Sequence, residues 1–524
     1  MRHPRNRRSS LADLRPWHWF VLAAAAPLVH CASRLNLDLW HDEIYTIDYF
    51  VSRGPAFVVT DYSAPNNHIL FSLVMWPFYL LSESNFGLRF PSFLFTVGTL
   101  GFVFRLAYRY GGLVCAVLST SLLGLNQMFL IHTIQIRGYG MSMFLTAWLA
   151  EAALTESSGA SGRRLAAIAF VGAALLYVLP TNVLFFVPLA VVSIAWAVVR
   201  GSSVRQLAAE TLAWGAGALL AFAAYLPVAE HIVAAAKSSS PSSWTYLPVI
   251  AGNFFRPATL DYVWFAPLLL VALAVVAWSG RNPRPKEKWL LPLAGVGVIG
   301  GAFLITGALR ISPFERIYCP LLVWLALVAG WLLAELTEVV RARLAPHCPS
   351  GIESAVVLAA VSLALWPQLW TYAQRLTAHR EQTEPTDQWV ADGYYCYYAA
   401  DYRPAAVVRY LLDAGVEQLP YRVCCTDADF LNLWYYFKRA RLLLFDGYKY
   451  GPPPGGVAVF CAVPEPPPWE RLARDCRLTT DQIETLHLRE DFGFYRLYQS
   501  ARPLDVGWPP DADAASQRPS AATQ

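Results

Sequence analysis

The chain has 524 residues, of which 56% are hydrophobic, and its mean hydropathy is +0.37. One water-soluble core cannot bury so much apolar surface, so lipid must solvate a large part of it. The formal net charge is only +4, and the basic residues recur in short clusters between apolar runs. This distribution is typical of membrane orientation and excludes a nucleic-acid-binding protein. The sequence therefore predicts an integral membrane protein.

Long apolar runs predict the membrane spans. The first run, residues 17–33, follows an arginine-rich tail (residues 1–16) and has no convincing cleavage site, so we interpret it as a retained span. Residues 165–199 are split by the polar turn at Pro180, Thr181 and Asn182. One helical span needs roughly 20 residues, so these runs predict about eleven spans. The later runs without a charge lie at residues 90–104, 111–131, 138–150, 165–199, 211–229, 262–279, 289–309, 317–334 and 354–373.

The basic clusters predict the orientation in the membrane. Pairs of spans separate neighbouring clusters, so every cluster can lie on the cytoplasmic side of the plasma (inner) membrane. The N-terminus is then cytoplasmic, and residues 34–87 form an external loop. If residues 69–81 crossed the membrane, the later basic clusters would lie on the opposite side from the N-terminal cluster. We therefore predict an interfacial or re-entrant helix there.

The composition changes after residue 373. Residues 374–500 are polar and rich in aromatic side chains, with a helix-like run at 405–412 and a strand-like run at 457–463. They predict a small extracytoplasmic α/β domain, in which an oxidising exterior permits one or two disulfides. Residues 501–524 are rich in Pro, Ala, Asp and Ser and are predicted to be disordered. The predicted fold class is therefore an α-helical polytopic membrane protein (membrane domain 17–373) with a C-terminal α/β domain.

Two adjacent carboxylates, Asp42 and Glu43, lie a few residues beyond the first span. On a helix Asp42 shares a face with Tyr45, whereas Glu43 points about 100° away, so the two acids should have separate roles. A partly desolvated carboxylate near the interface can act as a general base. The alternative interpretation is an exposed acid that only caps a helix.

A polar stretch from Asp61 to His68 leads directly into the apolar residues 69–81. The amides of Asn66 and Asn67 and the imidazole of His68 suit the binding of sugar hydroxyls or of a phosphate. Alternatively, this stretch forms a turn, and Asn67 caps the next helix.

Two arginines occupy other predicted external positions. Arg137, followed by Gly138 and Tyr139, lies where one span ends and the next begins, and Arg316 lies in a later short loop. Each guanidinium can bind a phosphate through two hydrogen bonds. Alternatively, Arg137 reaches toward lipid headgroups, and Arg316 only pairs with its neighbour Glu315.

The order of these motifs resembles that of the GT-C glycosyltransferases related to protein O-mannosyltransferases, the lipid A aminoarabinose transferase and the Rgt-type lipopolysaccharide core transferases. The resemblance runs from about residue 17 to 155, weakens at 314–320, and is absent after 374. His68 is followed by Ile69 and Leu70, whereas the relatives carry a proline-rich or lysine-containing motif there. The motifs are Trp40-His41-Asp42-Glu43, Asn66-Asn67-His68, Asn85 to Ser92 and Arg137-Gly138-Tyr139.

The resemblance implies an inverting glycosyltransferase that uses a polyprenyl-phosphate-linked sugar donor. The acceptor would be a hydroxyl of a cell-envelope glycan, lipid or protein at the outer face of the membrane, and Asp42 would be the general base. We expect no metal and no cofactor. The other implied site residues are Glu43 as the second catalytic carboxylate, Arg137, Arg316 and Tyr139 at the donor phosphate, and Tyr45, Asp61, Asn66, Asn67 and His68 at the substrates.

Two other classes of protein remain as alternatives. A polytopic transporter or lipid flippase also has many spans, but its polar groups usually lie near the bilayer midplane, whereas those of this chain gather in predicted external loops. A scaffold or receptor would bind its partner through aromatic side chains such as those at 394–398. The placement of the charged residues favours the enzyme.

Overall fold

A computed structural model describes residues 15–64, 66–155, 161–238, 244–260, 289–311, 315–344, 403–416, 420–425, 427–441, 445–446, 455–464, 467–476, 478–492 and 495–505. The predicted spans at 262–279 and 354–373, the aromatic run at 394–398 and residues 506–524 of the predicted disordered tail lie outside these residues. Residues 501–505 of that tail differ from the prediction, because Leu504 is buried and forms a β-bridge with Val457.

The described residues are mostly helical. The helices are α1 (Pro16–Arg34), α2 (His41–Tyr45), α3 (Pro55–Thr60), α4 (Ile69–Leu81), α5 (Asn85–Gly124), α6 (Gln127–Ile134), α7 (Gly138–Leu154), α8 (Gly162–Val178), α9 (Val183–Val199), α10 (Val204–Tyr225), α11 (Ala229–Ser238), α12 (Leu247–Leu260), α13 (Leu290–Leu309), α14 (Pro320–Leu344), α15 (Pro404–Asp413), α16 (Asp427–Arg439), α17 (Trp469–Cys476) and α18 (Thr480–Glu484). The strands are β1 (Tyr421–Cys424), β2 (Phe445–Asp446), β3 (Ala458–Pro464), β4 (Leu486–Asp491) and β5 (Tyr495–Ser500).

Several local predictions are confirmed. Helix α4 has the bounds that its apolar run predicts. The long run after residue 165 is divided into α8 and α9 by a single 3₁₀ turn, Pro180–Asn182. Proline has no backbone N–H to donate and fits the first turn of a helix, which is why α8 ends before Pro180 and a new helical turn begins there.

Gly112 adopts φ 78°, which divides α5 into two helical segments near the start of the predicted run 111–131, and this left-handed conformation favours glycine. Within that run, the structure differs from the prediction of one span. Further along, α5 ends at Gly124, and the Asn126 side chain accepts a hydrogen bond from the backbone N–H of Phe129, which starts α6. An asparagine at the N-cap position satisfies one of the free N–H groups of the new helix, so a second helix begins inside the apolar run.

Five helical segments among the described residues are long and apolar enough to cross a membrane. The chain is therefore a multi-pass membrane protein. The segments are Asn85–Gly124, Pro180–Val199, Val204–Ala234, Leu290–Leu309 and Pro320–Arg343.

The chain forms two compact units. The first contains the described residues of Met1–Ser33, His68–Phe71 and Phe90–Leu376, and the second those of Arg34–Asn67, Ser72–Arg89 and Thr377–Gln524. The second unit thus combines most of the loop 34–87 with the C-terminal residues, whereas the sequence analysis assigns that loop to the membrane domain.

The first unit is a helical bundle. Helix α8 packs against α7 and α10, and α13 packs against α9 and α14. Two ion pairs link helices of this unit: the Arg164 guanidinium lies 3.0 Å from the carboxylate of Glu210, and Arg105 of α5 lies 2.9 Å from Glu151 of α7. Pairing lowers the cost of placing charge near apolar surroundings.

The second unit contains a five-stranded mixed sheet in the order β2-β1-β3-β5-β4. Strands β1 and β3 are parallel, and the other neighbours are antiparallel. Alternate residues of β3 (Val459, Cys461 and Val463) enter one buried cluster, as the two-residue period of a strand requires. The cysteines described in this unit are buried free thiols, and no disulfide links them.

Candidate functional site

The predicted acidic pair lies at the start of α2, in the second unit. The backbone N–H of Trp40, the residue before this helix, donates to Oε2 of Glu43 at 3.2 Å. This bond fixes the first turn, which carries both acids. As predicted for a helix, the two carboxylates contact different partners.

Glu43 forms a buried ion pair with Arg89. Nε of Arg89 donates to one carboxylate oxygen at 2.9 Å and Nη2 donates to the other at 2.6 Å, and both side chains are fully buried. The same guanidinium also donates to backbone carbonyls of the segment that leads into α2. Glu43 is therefore held by the fold, and its geometry favours positioning of α2 over contact with a substrate.

Asp42 lies on the other side of α2 and is 9% exposed. Its Oδ1 accepts a hydrogen bond from Nδ2 of Asn66 at 3.3 Å. Tyr45, one turn later, is half-buried, and burial together with Tyr49 and Asp61 raises the pKa of its phenol. The structure thus brings together Asp42, Asn66, Tyr45 and Asp61, four of the residues that the sequence analysis assigns to catalysis and substrate binding.

Asn67 is held in the loop by its own hydrogen bonds. Its Nδ2 donates to the backbone carbonyls of Val58 at 2.8 Å and Asp61 at 2.7 Å, and its Oδ1 accepts from Ser72 at 3.1 Å. The amide is fully buried, so its geometry favours a structural role. Its contacts differ from those of the predicted helix cap.

Asp61 shapes the same loop. Its Oδ1 accepts hydrogen bonds from the backbone N–H of Ser63 at 3.1 Å and from the hydroxyl of Ser63 at 2.7 Å. This arrangement is an Asx turn, which stabilises the chain reversal before the polar residues 66–68.

The first unit contains a second cluster, built around His68. The backbone N–H of Gly138 lies 2.6 Å from Nδ1 of His68, and Nη2 of Arg137 lies 3.2 Å from Nε2. The ring of Tyr139 meets the imidazole edge to face, with centroids 5.0 Å apart, and its hydroxyl accepts from Nη2 of Arg137 at 3.3 Å. Three of the predicted substrate-binding residues, His68, Arg137 and Tyr139, are therefore in mutual contact.

His68 is neutral in this cluster. Burial first, and then the charges of Arg137 and Arg316, hold its pKa well below the usual value. A neutral imidazole has one N–H donor and one acceptor. Because Nδ1 accepts from Gly138, Nε2 carries the proton, and this N–H faces an arginine that can only donate. The two groups lie 3.2 Å apart, so an oxygen anion beside them can accept hydrogen bonds from both.

Gly138 allows this close approach. A Cβ atom at this position would lie 2.4 Å from Val178 and 2.7 Å from Nδ1 of His68, so only glycine fits. Gly138 is also the first residue of α7, and the N-terminus of a helix favours negative charge. The helix end, two arginines and a neutral histidine donor together make a positive environment.

No protein-family model matches the sequence, and the search of curated proteins also gave no match. Solved structures do match. The apo crystal structure of ArnT from Cupriavidus metallidurans aligns with a TM-score of 0.50 at 14% identity, over 92% of this chain and 98% of that one. The chain therefore has the GT-C fold. This confirms the fold that the order of motifs indicates.

Two further structures are similar to this chain. ArnT from the same organism, bound to undecaprenyl phosphate, aligns with a TM-score of 0.49 at 15% identity, over 92% of this chain and 98% of that one. The oligosaccharyltransferase AglB from Archaeoglobus fulgidus, in complex with an inhibitory peptide and a dolichol-phosphate, aligns with a TM-score of 0.42 at 14% identity, over 72% of this chain and 59% of that one.

Two features of the site were not predicted from the sequence. No role was assigned to Arg89, although this residue lies within the motif Asn85 to Ser92 on which the resemblance rests. A single arginine just before an apolar run is a usable signal, because such a charge needs a partner when it is buried. The contacts that Asp38 and Leu39 make with residues after 400 were also not predicted.

Proposed function

We propose that this chain is a membrane glycosyltransferase that transfers a sugar from a polyprenyl-phosphate donor to an acceptor hydroxyl. The observation that supports it best is the His68 cluster, in which the N–H of a neutral imidazole faces the guanidinium of Arg137 at 3.2 Å. A phosphate oxygen beside them would accept hydrogen bonds from both groups. The GT-C fold supports the same class of reaction.

The donor phosphate is the group that the cluster would stabilise. When the bond from the anomeric carbon to the phosphate oxygen breaks, negative charge gathers on the departing lipid phosphate. Arg137, Arg316, the N–H of His68 and the hydroxyl of Tyr139 would stabilise this charge as fixed donors. None of these groups needs to change protonation state, because the low pKa of His68 keeps it neutral at physiological pH.

Asp42 would act on the acceptor. Its carboxylate would take the proton of the acceptor hydroxyl as the oxygen attacks the anomeric carbon from the face opposite the phosphate, which inverts the configuration. The amide of Asn66 holds one carboxylate oxygen, which limits rotation of the side chain. Tyr45 and Asp61 would contact the acceptor, and Glu43 would position α2 through Arg89.

Replacement of Arg137 by glutamine is expected to weaken binding of the donor lipid phosphate about 10-fold to 100-fold, because a hydrogen bond to a charged group contributes about 1.5–3 kcal/mol. Binding of undecaprenyl phosphate to the purified, detergent-solubilised protein can be followed by native mass spectrometry. The matched control is Arg310→Gln, which removes an exposed arginine from the same unit.

The uncharged alcohol undecaprenol separates phosphate recognition from binding of the lipid tail. It should bind equally to the wild type and to the Arg137 variant. Equal loss of both lipids in Arg137→Gln would show that the variant disturbs binding of the lipid tail, and equal binding of undecaprenyl phosphate by Arg137→Gln and Arg310→Gln would refute the assigned phosphate site.

We also propose the predicted topology of about eleven spans, with the N-terminus in the cytoplasm and the C-terminal domain outside. The ion pairs of Arg105 and Arg109 with Glu151 support one membrane face for the two helix ends that carry them. Single cysteines placed at residues 84 and 110, in a chain whose native cysteines are replaced, test this topology. A membrane-impermeant maleimide applied from outside should label only position 84. Labelling of position 110 would refute the proposed topology.

A further inference from the structure

Residues after position 400 bind the segment that leads into α2. The backbone N–H of Leu39 donates to the hydroxyl of Tyr436 at 2.6 Å, and the backbone N–H of Ala405 donates to Oδ2 of Asp38 at 2.8 Å. Nearby, Nζ of Lys438 lies 2.6 Å from the carboxylate of Asp48. All of these residues belong to the second unit.

Tyr436 connects the two ends of this contact. It lies on α16, its side chain is buried, and its hydroxyl also hydrogen-bonds to the carboxylate of Asp38. Burial, followed by the charge of Asp38, raises the pKa of the phenol well above its usual value. The hydroxyl therefore keeps its proton, accepts from Leu39 and donates to Asp38.

The position of Tyr436 matters because Leu39 lies immediately before the start of α2. The next residue is Trp40, the N-cap of α2, and α2 carries Asp42. On its other side, the same segment is held by Arg89, which donates to the carbonyls of Leu37 and Asp38. The segment is thus fixed by hydrogen bonds at both its carbonyl and its N–H groups, so the direction in which α2 begins is determined.

We propose that Tyr436 is a positioning residue for Asp42, and that residues of the C-terminal region thereby determine the catalytic geometry of a loop almost 400 residues earlier. The inference rests on the proposed function of Asp42 as the general base. The phenol holds Leu39, Leu39 sets the start of α2, and α2 sets the direction of the Asp42 carboxylate. Tyr436 itself touches no substrate.

The test is a comparison of Tyr436→Phe with Tyr435→Phe in the full chain. Both variants lose one hydroxyl from a buried tyrosine of α16, but that of Tyr435 bonds to Arg439. Tyr436→Phe leaves the N–H of Leu39 without its acceptor. We expect its kcat to fall between about 10-fold and 100-fold, because a misplacement of about 1 Å has effects of that size. The KM of Tyr436→Phe for the donor should stay within about twofold of wild type. The kcat of Tyr435→Phe should also stay within about twofold of wild type.

A pH profile separates positioning from simple loss of folded enzyme. If the Asp42 carboxylate shifts, its surroundings change, and the acidic limb of the kcat profile moves in Tyr436→Phe. A smaller amount of folded enzyme lowers the whole profile without moving that limb. Asp38→Asn is the second variant: it keeps the hydrogen bond from Leu39 to Tyr436 and should lose less activity than Tyr436→Phe.

Three results would overturn the inference. The first is a kcat for Tyr436→Phe within twofold of wild type while Asp42→Asn is inactive. The second is an unmoved acidic limb together with a loss of activity that matches the loss of folded protein. The third is full activity of Asp42→Asn, which would show that Asp42 is not the base. This result refutes the proposed function itself, and it is distinguishable from the other two because the variant leaves Tyr436 unchanged.

Discussion

Replacement of Asp42 by asparagine is expected to reduce transfer to the acceptor by about 10² to 10⁴, the contribution typical of a general base. An amide has nearly the same shape as the carboxylate but cannot accept the hydroxyl proton. It can still accept a hydrogen bond from Asn66, so the loop should keep its conformation. The measurement is the transfer of labelled sugar from polyprenyl-phosphate donors to acceptor in isolated membranes that contain equal amounts of each variant.

Asp48→Asn is the matched control for this variant. Asp48 is a carboxylate of the same region, six positions along the chain, and forms an ion pair with an exposed lysine, Lys438. Its loss should change transfer by less than about fivefold, since exposed ion pairs contribute about 1 kcal/mol or less. Transfer by Asp42→Asn at the level of this control would show that another group takes the proton.

Sequence reasoning located the residues of the two clusters because their chemistry has short-range signals. Adjacent carboxylates on a short helix must diverge, and in the structure Asp42 contacts Asn66 while Glu43 contacts Arg89. Arg137 and Tyr139 lie two positions apart at the start of one helix, so their proximity needs no tertiary information. The contact with His68 does need it, because nothing in the sequence specifies that α7 begins beside this residue.

The association of the C-terminal residues with the loop 34–87 was not predictable. The hydrogen bond between Leu39 and Tyr436 joins positions 397 residues apart, and a buried tyrosine has the same local pattern as any core aromatic. The prediction that residues 374–500 form a domain of their own was based on their composition. Composition reports the polarity of a segment, but it does not indicate which other segment of the chain packs against it.

Apolar runs predicted the helix ends well where a group of polar or turn-forming residues interrupts the run, as at Pro180 to Asn182. They failed at Asn126, because one asparagine within an otherwise apolar stretch does not interrupt a hydropathy pattern, although its side chain caps a new helix. Local capping chemistry, and not average hydropathy, decides where such helices end.

Replacement of Arg89 by methionine is expected to destabilise the second unit by about 3–5 kcal/mol, the cost of removing one partner of a buried ion pair. The carboxylate of Glu43 would remain fully buried without its cation, and the carbonyls that Arg89 now binds would lose their donor. Thermal unfolding of the purified protein, followed by intrinsic fluorescence, should show a clearly lower apparent Tm.

Two further variants show whether the buried charge causes this effect. Arg496→Met removes the guanidinium of a partly exposed ion pair with Asp491 in the same unit, and it should cost about 1 kcal/mol or less. The double variant Arg89→Met with Glu43→Met should be more stable than Arg89→Met alone, because it removes the uncompensated carboxylate. If Arg89→Met unfolded at the same temperature as Arg496→Met, the buried ion pair would not be what holds α2 in place.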